Sequence, residues 1–286
     1  MKVSLILATV NNTRELERFF FALDLQRYRN FEVIVVDQNP DDRLQPMIER
    51  YQKLFPIRHI RSARGLSRAR NAGLKHITGD IVGFPDDDCW YQPALLAELV
   101  SWFNAHPEMD GLCGRPTDER GITTIGRFSE TGGRITRMNI WTRTNSNTLF
   151  FRREVVNRVG GFNEKLGLGS GTPWGSAEDV DYPLRAIGMG FSLYYSPAFQ
   201  VYHPDVIHNQ AYLAERAFSY AAGMGYVMRN HQYPRWYFYY FLLRPLGGAV
   251  LQALKRNPAR RDYYRYVFKG RLYGWKSCLN KSYSAS

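Results

Sequence analysis

Apolar residues recur along the first third of the chain in two alternating patterns. Val3 to Thr9 is a run of apolar and β-branched positions, the signature of a strand buried on both faces. Directly after it, Asn12-Thr13-Arg14-Glu15 has the spacing of a capping box, and Leu16, Phe19, Phe20 and Leu23 follow at helical intervals. Phe31 to Val36 repeats the buried-strand pattern and stops at Asp37; Asn39-Pro40-Asp41-Asp42 then predicts a loop and Leu44 to Leu54 a second helix. Ile57 to Ile60 reads as a third strand, Leu66 to His76 as a helix and Asp80 to Phe84 as a fourth strand, while Pro93 at a first-turn position opens a helix over Ala94 to Asn104. Such a βαβα opening implies a parallel sheet covered by helices. Between Thr117 and Arg143 glycines and polar residues suggest loops or a hairpin, ahead of the apolar patch Leu149-Phe150-Phe151. Ser176 to Ile187 predicts a helix ended by Gly188 or Gly190, followed by strands at Phe191 to Tyr195 and Phe199 to His203.

With 286 residues, 44% of them apolar, the chain can bury a sizeable core, which excludes disordered, collagen-like and disulfide-scaffold classes. Cys89, Cys113 and Cys278 are odd in number and widely spaced, so neither a disulfide framework nor a zinc site is expected, and a reducing compartment fits. Lys2 leads straight into the first strand pattern, so the N-terminus reads as structure and not as a signal peptide. A net charge of +12 points in general to nucleic acid, anionic membrane or phosphorylated ligands, and its distribution narrows the choice. Residues 1–228 hold 26 basic and 25 acidic residues, whereas 229–286 hold 12 basic residues and the single acid Asp262. The same tail carries 14 of the 42 aromatics. Within it, Trp236 to Leu254 has the length of a membrane span, but Arg244, Pro245 and Gly247-Gly248 are expected to interrupt it. An interfacial segment fits better, with rings at headgroup depth and cations on anionic lipid; packing of the rings into a core or an oligomer interface is the alternative. No nucleic-acid-binding motif accompanies the charge, so no nucleic acid partner is expected.

Three predicted strands end in polar groups: Thr9 and Asn11, Asp37, and the run Asp86-Asp87-Asp88. Ligands of open α/β sheets bind at such carboxyl ends. Adjacent carboxylates repel unless a cation or donors stabilise them, and in an extended chain Asp86 and Asp88 point to one side, a set of oxygen ligands suited to Mg²⁺ or Mn²⁺. A solvated acidic turn is the plainer alternative. Glu178-Asp179-Val180-Asp181 lies in a predicted first helical turn, where acids are expected from the helix dipole alone and where Asp181 pairs in spacing with Arg185. A carboxylate there can equally serve as a general base. His203 ends a strand pattern; a lone histidine is more often structural than a ligand.

Taken in order, Val3-Ser-Leu-Ile-Leu-Ala-Thr9, Val35-Val-Asp37, Ala69-Arg-Asn-Ala-Gly73, Phe84-Pro-Asp-Asp-Asp88 with Pro93, Arg152-Arg153 leading to Val159-Gly-Gly-Phe-Asn-Glu164, Ala177-Glu-Asp-Val-Asp181 with Arg185, and Val201-Tyr-His203 resemble the family 2 glycosyltransferases over about the first 205 residues. The resemblance implies the α/β GT-A fold, a Rossmann-like, mostly parallel sheet flanked by helices, here with a helical, aromatic and basic C-terminal extension. Together with the distribution of charge and aromatics, it divides the chain into a transferase domain, 1–228, with a nucleotide-sugar half (1–115) and an acceptor half (116–228), and a membrane-associating extension, 229–286. It implies inverting transfer from a nucleotide-diphosphate sugar, with uridine the favoured base and Mn²⁺ or Mg²⁺ as cofactor. Carried over by motif position, Thr9 and Asn11 line the base pocket, Asp37 contacts base or ribose, Arg70 closes the pocket and Asp87 lies towards the ribose. Asp86 and Asp88 form the DxD motif, Asp88 being the direct metal ligand, and His203 matches an occasional metal-binding histidine. Asp179 is the favoured catalytic base, with Glu178 the alternative. Pro85 departs from the family pattern and fixes the backbone before the acid run. The expected acceptor is a saccharide, lipid-linked, in bacterial surface or exopolysaccharide synthesis at the cytoplasmic face of the membrane. Trp141, Asn147 and Trp174 are acceptor-side candidates, Trp174 being equally a core residue. A metal-dependent nucleotidyltransferase and a non-catalytic membrane or nucleic-acid adaptor are the competing functions.

Overall fold

The computed structural model describes residues 1–205 and 210–277, with side chains of the second segment from residue 216 onward. Cys278 and the last basic and aromatic residues of the tail lie outside the described residues. Strands β1 (Val3–Thr9), β2 (Phe31–Asp37) and β3 (Ile57–Arg61) run parallel, linked through helices α1 (Thr13–Asp24) and α2 (Gln45–Tyr51). Helix α3 (Leu66–Leu74) leads to β4 (Ile81–Gly83), parallel to β1, and α4 (Leu95–Ala105) leads to β5 (Gly111–Thr117). There follow β6 (Gly133–Arg134), β7 (Leu149–Arg152), α5 (Arg153–Val159), α6 (Glu178–Gly188) and β8 (Leu193–Tyr202). One mixed sheet results, ordered β3-β2-β1-β4-β7-β5-β8-β6, in which β7 is antiparallel to both neighbours.

Every residue of β1 is buried, as a strand covered on both faces requires, and Phe19, Phe20 and Leu23 of α1 are fully enclosed against it. The Ala69–Gly73 stretch explains itself by contacts. A Cβ on Gly73 would lie 2.4 Å from Ile6 Cγ2, so only glycine lets α3 lie this close to β1. Asn71 grips Phe162, accepting from its backbone N–H (2.6 Å) and donating to its carbonyl (3.0 Å). Phe162 in turn stacks on Tyr182 at 4.2 Å and meets Phe84 edge-on at 5.0 Å.

The chain divides into two compact units, Met1–Phe162 with Tyr182–Asp205, and Asn163–Asp181 with Val206–Ser286. In the second unit α7 (Gln210–Asn230), α8 (Arg235–Leu254) and α9 (Pro258–Ser277) pack together, with α7 and α9 in unusually close contact at glycines. The segment before α6 runs along α7: Trp174 stacks on Tyr226 at 4.0 Å, Gly175 N–H donates to Ser219 O, Ser176 Oγ donates to Tyr220 O, and Asp181 lies 2.8 Å from His231 Nε2.

Four local expectations are corrected. Asn12 precedes α1 but makes no side-chain cap, because its amide is drawn to Asp87 instead. Pro93 lies one residue outside α4's N-cap, Ala94, and not in the first turn. The two strands expected around residues 191–203 are one strand, β8, whose register on β5 shifts between Cys113 and Arg115, opposite the segment with Pro197, which has no N–H for the ladder. Finally, α8 passes unbroken through Arg244, Pro245 and Gly247-Gly248. The proline leaves the Phe241 carbonyl without its helical donor, and the Arg271 guanidinium of α9 donates to that oxygen. Burial pulls Arg271 down to about 10.

Candidate active site

The carboxyl ends of β1, β2 and β4 bring the first set of predicted residues together. Thr9 is in register with Asp37, and Ala8 bridges Asp86 with the same offset as Val3 with Ile81, so the chain stays extended through Pro85. Beyond Asp86 the chain is not extended as expected but turns, Cys89 N–H donating to Asp86 O at 3.3 Å, and the turn separates the acids. Asp86 and Asp88, with His203, place one ligand atom each within 4.8 Å of one another, while Asp87 accepts from Asn12 Nδ2 at 2.9 Å.

His203 is anchored by its backbone N–H to Thr117 O (2.9 Å) and by Nδ1 to Pro204 O (2.7 Å), which leaves Nε2 3.3 Å from Asp88 Oδ1. A carbonyl only accepts, so Nδ1 carries a proton; Nε2 faces the carboxylates, where it donates to Asp88 when the ring is protonated and would offer its lone pair to a cation when the ring is neutral. Burial acts against protonation of His203, but the bond and charge of Asp88 and the charge of Asp86 raise it above an ordinary histidine. Burial likewise works to raise Asp88, yet His203 and the nearby Arg18 hold it below the usual carboxylate range. Two carboxylates and an imidazole are a donor set that Mn²⁺ accepts readily and Mg²⁺ accepts through its oxygens, so the residues fit the expected cation.

Arg70, the residue expected to close a base pocket, is 1% exposed and its guanidinium is 3.1 Å from Asp86 Oδ1, where its charge offsets that of the acid run. Arg18 donates to the Asp88 carbonyl at 2.7 Å and lies 3.8 Å over the Trp90 ring. Burial pushes Asp87 up to about 7, the charges of Asp88 and Asp86 adding to the effect and the Asn12 bond opposing it.

Asp37 is fully enclosed. It accepts from Asn39 N–H (2.8 Å) and Nδ2 (2.7 Å) and lies 3.1 Å from His59 and 3.3 Å from Arg61. Asn39 Oδ1 in turn accepts from Asn11 N–H at 2.8 Å, and Asn11 holds a left-handed backbone (φ 64°), which asparagine tolerates well. Asn39, Asn12 and Arg18 are contributors that the motifs do not single out. An Asx turn two residues after a strand-ending aspartate is a signal for Asn39; nothing local signals Arg18.

Glu178 and Asp179 open α6 and belong to the second unit, as does Trp174. Glu178 is 7% exposed, whereas Asp179 is half-buried. Ala177, just ahead of them, is buried with φ 72°, a strained backbone for a residue with a Cβ, and its carbonyl accepts from Asp181 N–H at 2.9 Å. Trp174 has one ring face covered by Tyr226. In the first unit Trp141 is half-buried, and Asn147 is 1% exposed with both amide atoms lacking a hydrogen-bond partner, a buried amide with its bonding capacity unspent.

A mostly parallel mixed sheet with an acid cluster at its strand ends is the architecture of GT-A transferases, and solved structures agree. Staphylococcus aureus TarS 1–349 in complex with UDP-GlcNAc matches with a TM-score of 0.62 at 19% identity, over 96% of this chain and 92% of that one. The mannosyltransferase PcManGT of Pyrobaculum calidifontis, in complex with GDP-Man and Mn²⁺, matches with a TM-score of 0.62 at 20% identity, over 100% and 88%. The profile of glycosyl transferase family 2 matches residues 4–160, and the chain belongs to that family. Among curated relatives, the uncharacterized glycosyltransferase alr2836 of Nostoc sp. PCC 7120 is 27% identical over 171 residues, 56% of this chain and 53% of the relative. The chain spans about half the length, or less, of the curated relatives it matches first.

Proposed function

We propose that this glycosyltransferase moves a sugar from a nucleotide-diphosphate donor to a hydroxyl of a saccharide acceptor with inversion at the anomeric carbon. The observation that carries the reading is the convergence of Asp86, Asp88 and His203 within 4.8 Å at strand ends of a nucleotide-binding type of sheet. These three side chains would hold Mn²⁺ or Mg²⁺, which when bound supplies positive charge to the diphosphate leaving group. The GDP-Man and Mn²⁺ complex of PcManGT and the UDP-GlcNAc complex of TarS support a metal and a nucleotide sugar, and uridine is the base we favour.

The chain's own residues supply the rest. Thr9 and Asn11 wall the base pocket, Asp37 stiffens that wall through Asn39, Asp87 lies towards the ribose, and Arg70 orients Asp86 while offsetting the acids' mutual repulsion. Asp179 is the general base, Glu178 being too enclosed to meet an acceptor hydroxyl. The N-terminus of α6 keeps that carboxylate ionised, and proton removal on the face opposite the leaving group gives a single displacement. Asn147 and Trp141 serve the acceptor, Trp174 less so because Tyr226 covers it. Residues 1–115 take the donor, residues 116–228 the acceptor, and 229–286 bind an anionic membrane, placing the enzyme peripherally at the cytoplasmic face with a lipid-linked acceptor in polysaccharide synthesis. Asp179→Asn tests the core of this scheme: calorimetric donor binding in the presence of Mn²⁺ is retained while transfer falls by ~10²–10⁴. Full turnover by the variant would refute the assignment.

A further inference from the structure

Helix α8 has two faces of opposite character. Phe238, Leu242, Pro245 and Ala249 are buried, and the Phe238 ring stacks on Trp275 at 4.0 Å. On the other side Trp236, Tyr240, Leu243, Leu246, Val250 and Leu254 follow one another at helical spacing and are 39–77% exposed. A helix facing water ordinarily presents polar residues there. The stripe is about 27 Å long at the α-helical rise. Exposed cations frame it: Arg235 at its start, Arg244 at its middle, Lys255 and Arg256 at its end. Asp262, the one acidic residue from 235 to 277, is already paired with Arg261 (2.9 Å) and Arg265 (3.7 Å). Among the described residues no helix is long and apolar enough to cross a membrane.

We infer that this stripe is the surface by which the protein lies on anionic lipid, with α8 parallel to the bilayer plane. Leu243, Leu246, Val250 and Leu254 enter the headgroup–acyl boundary, Trp236 and Tyr240 sit at headgroup depth, and the framing cations meet lipid phosphates. A rim of cations around an apolar stripe complements a negatively charged interface, where each Lys or Arg adds attraction and each buried side chain adds hydrophobic transfer. The inference rests on the membrane reading of residues 229–286 and adds which residues touch lipid and in what orientation. It also divides the aromatics of the tail, since Tyr237 and Phe238 belong to the protein core and Trp236 and Tyr240 to the lipid.

The test uses the full chain and vesicle sedimentation with phosphatidylcholine alone and with equimolar phosphatidylcholine and phosphatidylglycerol. The wild type binds the anionic vesicles, and Leu243→Asp with Val250→Asp weakens that binding by about tenfold or more, since two apolar contacts are lost. Leu54→Asp, at an exposed apolar position of the first unit, leaves it unchanged. Donor binding and melting temperature stay at wild-type level in all variants, because every substituted side chain is exposed. Wild-type protein that ignores both vesicles overturns the membrane reading itself. Wild-type binding that survives the double substitution spares that reading and overturns the face assigned here. Dimerisation by analytical ultracentrifugation without lipid, abolished by the same double substitution, assigns the stripe to a second copy and overturns the proposal.

Discussion

Replacing Gly274 by alanine adds one methyl group where α9 touches α7. A Cβ there would lie 1.9 Å from Ala222 O and 2.7 Å from Tyr226 N, both backbone atoms that cannot swing aside. Ordinary contact begins near ~3.5 Å, so the helices must separate by more than about 1 Å. The same crossing has no slack elsewhere, since Cβ atoms on Gly225 and Gly270 would lie 2.2 Å from Arg271 O and 2.3 Å from Phe218 O. Overpacking of this kind costs ~1–3 kcal/mol, and helix propensity returns at most ~1 kcal/mol, so a net loss of roughly 1–2 kcal/mol is expected. Gly247→Ala in α8 is the matched control, because nothing lies within 4 Å of its added Cβ. It gains the propensity alone, up to ~1 kcal/mol. Urea unfolding followed by circular dichroism reads both signs. Turnover reads the consequence for the site: α7 carries Tyr226 and Tyr220 and leads into His231, and these hold Trp174, Ser176 and Asp181 beside the candidate base. Gly274→Ala therefore lowers kcat more than donor affinity, and Gly247→Ala leaves kcat alone. A stability gain in both variants would refute close helix contact as the organising feature of this unit.

Three other outcomes follow from single contacts. Asp88→Ala removes one member of the Asp86, Asp88 and His203 set, so calorimetry should find donor binding no longer enhanced by Mn²⁺; undiminished enhancement would remove Asp88 from the ligand set. Arg271→Met strands the Phe241 carbonyl, whereas Pro245→Ala restores that carbonyl's own helical donor, so a double-mutant cycle in unfolding free energy should show coupling of ~1–2 kcal/mol; additivity would mean that the guanidinium does not compensate the proline. Ala177→Gly relieves a left-handed alanine worth ~1–2 kcal/mol of strain, so the melting temperature should hold or rise while kcat falls through a looser acid turn. A fall in stability would show that the side chain's packing outweighs its strain.

The βαβα opening and the placement of Asp37 and the acid run at strand ends are legible in the amino-acid sequence, because hydrophobic periodicity is set by neighbours a few residues away. Asp86 and Asp88 are legible as a pair of acids, although a turn closed by Cys89 N–H on the Asp86 carbonyl, and not the extended backbone expected, brings them together with His203. The unbroken α8 is not legible, since Pro245 and two glycines argue against a helix, and the compensating group, Arg271 of α9, stands 30 residues beyond the Phe241 carbonyl that it serves.

By itself, then, the sequence determined the alternating strands and helices, the family, and which residues stand at the ends of strands. Tertiary structure alone decided what each of those side chains meets: Arg70 on Asp86, Asn12 on Asp87 and not on its helix, Asp37 enclosed by Asn39, His59 and Arg61, and the acid turn strapped to α7. The physical reason is range. Secondary structure answers to local periodicity, whereas the partner of a buried charge is chosen when distant segments close around it, and any donor with the right reach removes the same desolvation cost.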